Sequence, residues 1–233
     1  MYTIIKTILD AIFPFSREDK KVLAFSPEEA LLSLPPAPKT PIENCFSVFA
    51  YKNPLVTKLI WNIKYKKSAQ AIKIGGYALY KQLIELDEKY FDKLGSYSNI
   101  IIIPIPITNR RRNERGYNQC ELLLNEIEKL DTKKRLILKK DLLERIHHQD
   151  RQTLKNRDER LESAKDIFAV NEIVASELKN QISNVNVIKN TPDSEPIFVI
   201  IDDVITTGST IKEAMETLRK AGFSKIYGLS LAH

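Results

Sequence analysis

The sequence predicts an α/β fold, a mainly parallel sheet flanked by helices, and three observations predict it. Residues 100–103 are four consecutive isoleucines, the continuous apolar strand expected when helices cover both sheet faces. Residues 197–233 read as a strand, a Thr/Gly/Ser turn, a helix and a second strand. Between such strands, apolar residues recur at helical spacing, an alternation that favours parallel pairing.

The elements follow in order. Ile4, Ile5, Ile8, Leu9, Ile12 and Phe13 space out as one face of a short amphipathic helix. Lys6 and Asp10 interrupt it and no small-residue cleavage site follows, so a secretory signal is not expected. Proline-rich residues 14–44 read as an extended arm with one short helix, capped by Ser26 with Pro27 first in the helix and Glu29 completing a capping box. Residues 1–44 are therefore expected as an N-terminal helix and arm, and 45–233 as the main domain. From Cys45, Phe46, Val48 and Ala50 alternate as a strand does. Asn53-Pro54 opens a helix carrying Leu55, Val56, Leu59, Ile60 and Ile63, and a second helix is expected over 68–86. Pro104 and Pro106 end the isoleucine strand, and a helix over 118–130 returns across the sheet. Short strands are expected near 136–138 and 167–170. Residues 173–196 read as a polar surface connection ending in Asn190-Thr191-Pro192-Asp193. The closing unit is a strand over 197–201, a helix over 209–221 stopped by Gly222, and a strand over 225–231.

A chain of 233 residues can bury a real core as one large domain or two small ones. Two cysteines, Cys45 and Cys120, and three histidines exclude a disulfide framework and a four-cysteine zinc site, and a reducing cytoplasm is the expected setting. No apolar run approaches the roughly 20 residues needed to span a bilayer. The net charge of +6 is unevenly placed: residues 110–115 carry +3 and residues 133–165 carry +5, so the remainder is negative. Such clustering suits an anionic partner.

The strongest chemical signal is Phe198-Val199-Ile200-Ile201-Asp202-Asp203-Val204-Ile205-Thr206-Thr207-Gly208-Ser209-Thr210. A buried strand delivers two carboxylates to its carboxyl edge, where open α/β sheets bind ligands. The turn that follows feeds a helix N-terminus, whose free N–H groups and dipole favour phosphate. Gly208 permits a positive φ, and the hydroxyls of Thr206, Thr207, Ser209 and Thr210 add donors. Paired acids accept from vicinal hydroxyls while the loop holds a phosphate, and a sugar phosphate satisfies both. A second constellation, Arg110-Arg111-Arg112-Asn113-Glu114-Arg115-Gly116, lies between a strand end and a helix start. Planar guanidinium forks there suit a diphosphate.

The acid pair and following loop resemble the phosphoribosyl-diphosphate (PRPP) signature of type I phosphoribosyltransferases. The rest of the pattern is similar to the ComF family (ComFC and GntX-like proteins). It comprises Pro104-x-Pro106, the arginines, Arg115-Gly116-Tyr117-Asn118-Gln119, Phe49-Ala50-Tyr51, Leu59-Ile60-Trp61-Asn62-Ile63-Lys64-Tyr65, Arg145, Gln152-x-Leu154, Arg157, Arg160 and Phe168. The resemblance implies a type I phosphoribosyltransferase-like fold with an N-terminal arm or hood, and Mg²⁺-dependent transfer of phosphoribosyl to an acceptor with release of diphosphate. It assigns catalysis to Asp202, Asp203 and Arg145, the ribose 5-phosphate to Thr206, Thr207, Gly208, Ser209 and Thr210, and the diphosphate to Arg110, Arg112 and Arg115. Residues 145–160, including His147 and His148, correspond to a loop that closes over substrate. The alternative it implies is a non-catalytic DNA-uptake protein that binds single-stranded DNA and a helicase-like competence partner, with Trp61, Tyr65 or Tyr117 stacking on bases. Many ComF proteins begin with a four-cysteine zinc module. No cysteine precedes Cys45 here, so neither zinc nor any other protein-held metal is expected beyond the Mg²⁺ carried with PRPP.

Overall fold

The structure, a computed structural model, describes residues 15–91, 100–146, 167–189 and 196–233. The amphipathic segment within 1–14, and His147, His148, Gln152, Leu154, Arg157 and Arg160, lie outside the described residues.

The described chain contains β1 (Cys45–Phe49), β2 (Ile100–Pro104), β3 (Leu136–Leu138), β4 (Leu143–Arg145), β5 (Phe168–Val170), β6 (Ile197–Val204) and β7 (Ile226–Ala232). Five strands form one sheet in the order β1-β7-β6-β2-β3, and every pairing in it is parallel. β4 and β5 form a separate antiparallel ribbon. This is the α/β class expected from the sequence, and it is consistent with a type I phosphoribosyltransferase-like fold.

Strand residues alternate between two apolar layers because successive side chains leave opposite faces. Ile100, Ile102, Val199 and Ile201 enter one core with Leu59, Ile63, Leu79 and Leu123. Ile101, Ile103, Phe198 and Ile200 enter the other with Ile211, Met215, Leu218 and Leu178. Both faces are covered, which is why the strands read as unbroken apolar runs rather than alternating ones.

On the first face lie α1 (Arg17–Ala24), α2 (Pro27–Ser33), α3 (Pro54–Trp61), α4 (Ala69–Leu86) and α6 (Gln119–Leu130). α2 has the expected Ser26/Glu29 capping box with Pro27 at its start. α1 is an element the sequence reading missed inside the proline-rich arm. Its signature is a second capping box, Ser16 with Asp19, and Val22 and Ala30 of these short helices, with Leu34 just after α2, join the first core. On the other face lie α8 (Ser209–Lys220) and α7 (Glu172–Lys189).

α7 corrects the expectation of an irregular connection over 173–196. Asn171 accepts from the Val174 N–H to cap it, and Ala175 and Leu178, with Val174 and Ile182 beside them, pack into the second core. The spacing was present, but the polar residues between these positions masked it. Residues 109–115 form a short helix, α5 (Asn109–Arg115), where a basic loop was expected. Thr108 caps it and Gly116 ends it at φ 77°. Among the described residues, no helix is long and apolar enough to cross a membrane.

Candidate functional site

A cleft of about 330 Å³ opens at the carboxyl ends of β2 and β6, and its walls include Lys64, Arg111, Arg115, Arg145, Asp202 and Thr206. Asp202 and Asp203 belong to β6 itself, with Asp202 in register with Ser230 of β7. Neighbouring strand residues point to opposite faces, so the two carboxylates meet different surroundings.

Asp203 is 4% exposed, on the same face as Ile201. Lys64 Nζ donates to its Oδ1 at 2.9 Å and Gln119 Nε2 to its Oδ2 at 2.6 Å. Asp202 is partly exposed to the cleft. Its Oδ1 accepts the Asp203 N–H at 2.8 Å and lies 3.9 Å from Cys120 Sγ. Desolvation, and then the neighbouring Asp203 charge, push the Asp202 carboxyl up to about 7. Burial and the same two carboxylates raise the Cys120 thiol well above its ordinary value, so it remains protonated.

Arg115-Gly116-Tyr117-Asn118-Gln119 joins the pieces of this site. The single proton of the Tyr117 hydroxyl is shared between the carbonyls of Ile63 and Lys64, each 3.0 Å away. Asn118 donates to the Ile105 carbonyl at 2.9 Å and accepts from the Cys120 N–H, capping α6. Gln119 reaches Asp203, and Arg115 donates to Gln119 Oε1 at 3.2 Å with its guanidinium 4.9 Å from the Tyr65 ring centroid. Five adjacent residues thus tie the α3–α4 turn, the end of β2 and the end of β6 together. Lys64 and Gln119 stand in the sequence analysis only as members of ComF-like motifs, and no local signal assigned either a place in the site.

The loop after β6 has the expected form. Gly208 lies at φ 77° immediately before α8, and no side chain caps that helix. Thr206 and Thr210 line the cleft, whereas Thr207 and Ser209 are exposed with their hydroxyls 3.1 Å apart. A Cβ at position 208 would sit 1.7 Å from Ile42 Cδ1, an atom of the proline-rich arm. Ile42 can rotate, but the left-handed backbone remains strained for any L side chain. Gly208→Ala should therefore cost about 1–2 kcal/mol in denaturant unfolding.

The arginines divide. Arg111, Arg115 and Arg145 line the cleft, and among the described residues none of them makes an ion pair. Burial and then the Arg111 charge lower the Arg145 pKa, and the more weakly acting carboxylates of Glu213 and Asp202 offset this only in part. Arg110 and Arg112, two of the three expected diphosphate ligands, lie elsewhere. Arg110 is 88% exposed and bound to Glu114 at 2.7 Å, and Arg112 is bound to Glu121 at 2.6 Å. Arg111, not assigned to the diphosphate in the sequence analysis, lines the cleft while remaining exposed.

Cys120 Sγ and carboxylate oxygens of Asp202 and Asp203 lie within 4.8 Å of one another. A protonated thiol is a poor partner for Mg²⁺, and both Asp203 oxygens already accept hydrogen bonds. The donor set fits a Mg²⁺ held by Asp202 together with ligand oxygens and water, the arrangement this ion tolerates.

The chain is similar to Competence protein F of Haemophilus influenzae. The two are 30% identical over 131 residues, 56% of this chain and 49% of that protein. The chain therefore spans about half the length of the curated relative it matches. The likeness agrees with the ComF-family resemblance of the motifs. No protein-family model matches the chain.

Proposed function

We propose that the cleft binds PRPP with Mg²⁺ and transfers its phosphoribosyl group to an acceptor. The observation that carries this reading is the pairing, across one cleft, of the Asp202/Asp203 strand end and Gly208 loop with three guanidiniums that make no ion pair among the described residues. The acids accept from ribose hydroxyls, the loop and the α8 N-terminus donate to the 5-phosphate, and Arg111, Arg115 and Arg145 face the diphosphate. Transfer breaks the bond from C1 to the diphosphate oxygen, whose electron pair leaves with diphosphate, as the acceptor bonds to C1 and gives its proton to water. When bound, Mg²⁺ supplies further positive charge to the leaving group. Preorganised cations stabilise that developing negative charge most effectively in a water-poor cleft.

A second reading, nucleic-acid binding without turnover, is supported by the aromatic and cationic residues beside the cleft. Tyr65 is 49% exposed, 5.6 Å from Trp61 and faced by Arg115. Its site would be a surface that stacks bases and tracks backbone phosphates.

Calorimetric titration with PRPP, with and without Mg²⁺, separates them. Saturable Mg²⁺-dependent binding that Asp202→Asn abolishes is expected, together with diphosphate release once a suitable acceptor is supplied. Failure to bind PRPP, alongside salt-sensitive single-stranded DNA binding that Asp202→Asn leaves unchanged, would establish the second reading instead.

A further inference from the structure

The turn that carries Lys64 is unusual in several independent ways. Residues Asn62–Lys66 are π-helical, a form that is rare and frequent at functional sites, and Lys67 closes the turn in the left-handed region at φ 48°. Asn62 is fully buried within it, and among the described residues its Oδ1 has no hydrogen-bond partner. Tyr117 holds the carbonyls of Ile63 and Lys64 from a separate segment. The outcome is a lysine aimed into the cleft, its side chain still 22% exposed, at 2.9 Å from Asp203 Oδ1.

A purely structural ion pair does not need this presentation. Asp203 has a second, shorter donor in Gln119, so it keeps a partner when Lys64 departs. Ribose chemistry supplies a destination. The diphosphate of PRPP sits on C1, next to the C2 hydroxyl that the acid pair would accept, whereas the 5-phosphate lies across the ring toward Thr206 and Thr210. An ammonium bound to the hydroxyl-binding acid is therefore nearer the diphosphate than the 5-phosphate. A lysine suits such a move, because its flexible stem and three rotatable donors allow it to change partners.

We infer that Lys64 is a partner-exchanging ligand residue. Without ligand it pairs with Asp203, and on binding its ammonium turns to the diphosphate oxygens while Gln119 retains Asp203. Tyr117 is the positioning residue that holds the turn for this exchange. The inference rests on the reading of the cleft as a PRPP site.

The test is calorimetric titration of the full chain and two variants, Lys64→Met and Tyr117→Phe, with PRPP, ribose 5-phosphate and inorganic diphosphate, all with Mg²⁺. Lys64→Met should weaken PRPP and diphosphate at least about tenfold and change ribose 5-phosphate less than about threefold, with Lys64→Arg recovering part of the loss. Tyr117→Phe should give the same pattern at smaller size, and it carries the contrast should Lys64→Met fail to fold by circular dichroism. Equal losses on PRPP and ribose 5-phosphate would assign Lys64 a structural role only and overturn the inference, as would unchanged PRPP affinity. A wild-type chain that binds no PRPP overturns the underlying reading, and the inference with it.

Discussion

Replacing Asp202 by asparagine should raise the thermal stability of the ligand-free protein above pH 7 while abolishing PRPP binding. The carboxyl is held up to about 7, first by desolvation and then by the Asp203 charge beside it. The folded state therefore holds this proton more tightly than the unfolded chain, where the group titrates near 3.8. Stability attributable to Asp202 is full below pH 3.8, falls as pH rises through the interval to about 7, and stays low above it. Each pKa unit corresponds to about 1.4 kcal/mol, so the asparagine variant should regain a few kcal/mol at pH 8 and almost nothing at pH 4. Thermal melts of both proteins across pH 4–8 measure this directly. A difference that does not grow with pH would show that the Asp202 charge is not under strain. A group retained at such cost, at the edge of a ligand-sized cleft, is the expected signature of a site whose charge the ligand later satisfies.

The acid pair and its loop were legible in the sequence because they are local. Four apolar residues, two acids and a Thr/Gly/Ser turn lie within thirteen positions, and strand alternation with the demand for a positive φ fixes their geometry. Lys64 and Gln119 were not legible, because their roles exist only through long-range contacts. Gln119 meets Asp203 across 84 positions, and Lys64 is placed by Tyr117, whose hydroxyl binds the carbonyls of residues 63 and 64 across 54 and 53 positions. A motif such as Arg115-Gly116-Tyr117-Asn118-Gln119 advertises that something is being held without naming what. The missed helices have a different origin. In α1 the cap was readable but its apolar face is short, with Val22 the only apolar residue of the helix that is fully buried. In α7 the polar composition outweighed a correct spacing, and burial against α8's core decided the outcome.

The arginine segment follows the same logic and yields the second large effect. Arg111→Ala and Arg145→Ala should each weaken PRPP about 10- to 100-fold, whereas Arg110→Ala and Arg112→Ala should change it less than about twofold. Read as a loop, residues 110–115 offer no basis for choosing among four arginines. Read as the helix α5, they do, because residues four apart share a face. Arg111 and Arg115 turn together into the cleft, and Arg110 turns with Glu114 toward solvent and pairs with it. Arg112 is committed to Glu121 of α6. A charge-assisted hydrogen bond from a cleft guanidinium to a phosphate oxygen contributes about 1.5–3 kcal/mol, and about 1.4 kcal/mol is tenfold in affinity. Arg110 and Arg112 already have carboxylate partners at the rim, so a ligand gains little from them. Removing Arg145 takes a like charge away from Arg111 but also removes the partner of the Asp202 and Glu213 charges and a contact with the Phe168 ring at 5.4 Å, so melting temperatures are needed to keep the loss of binding distinct from any loss of stability. The contrast is read by titrating the four variants under one salt condition, with melting temperatures recorded for each. Comparable losses across all four would mean that the anion is held by the overall positive field rather than by the inward face of α5. That outcome would favour a backbone-tracking nucleic-acid surface over a diphosphate subsite.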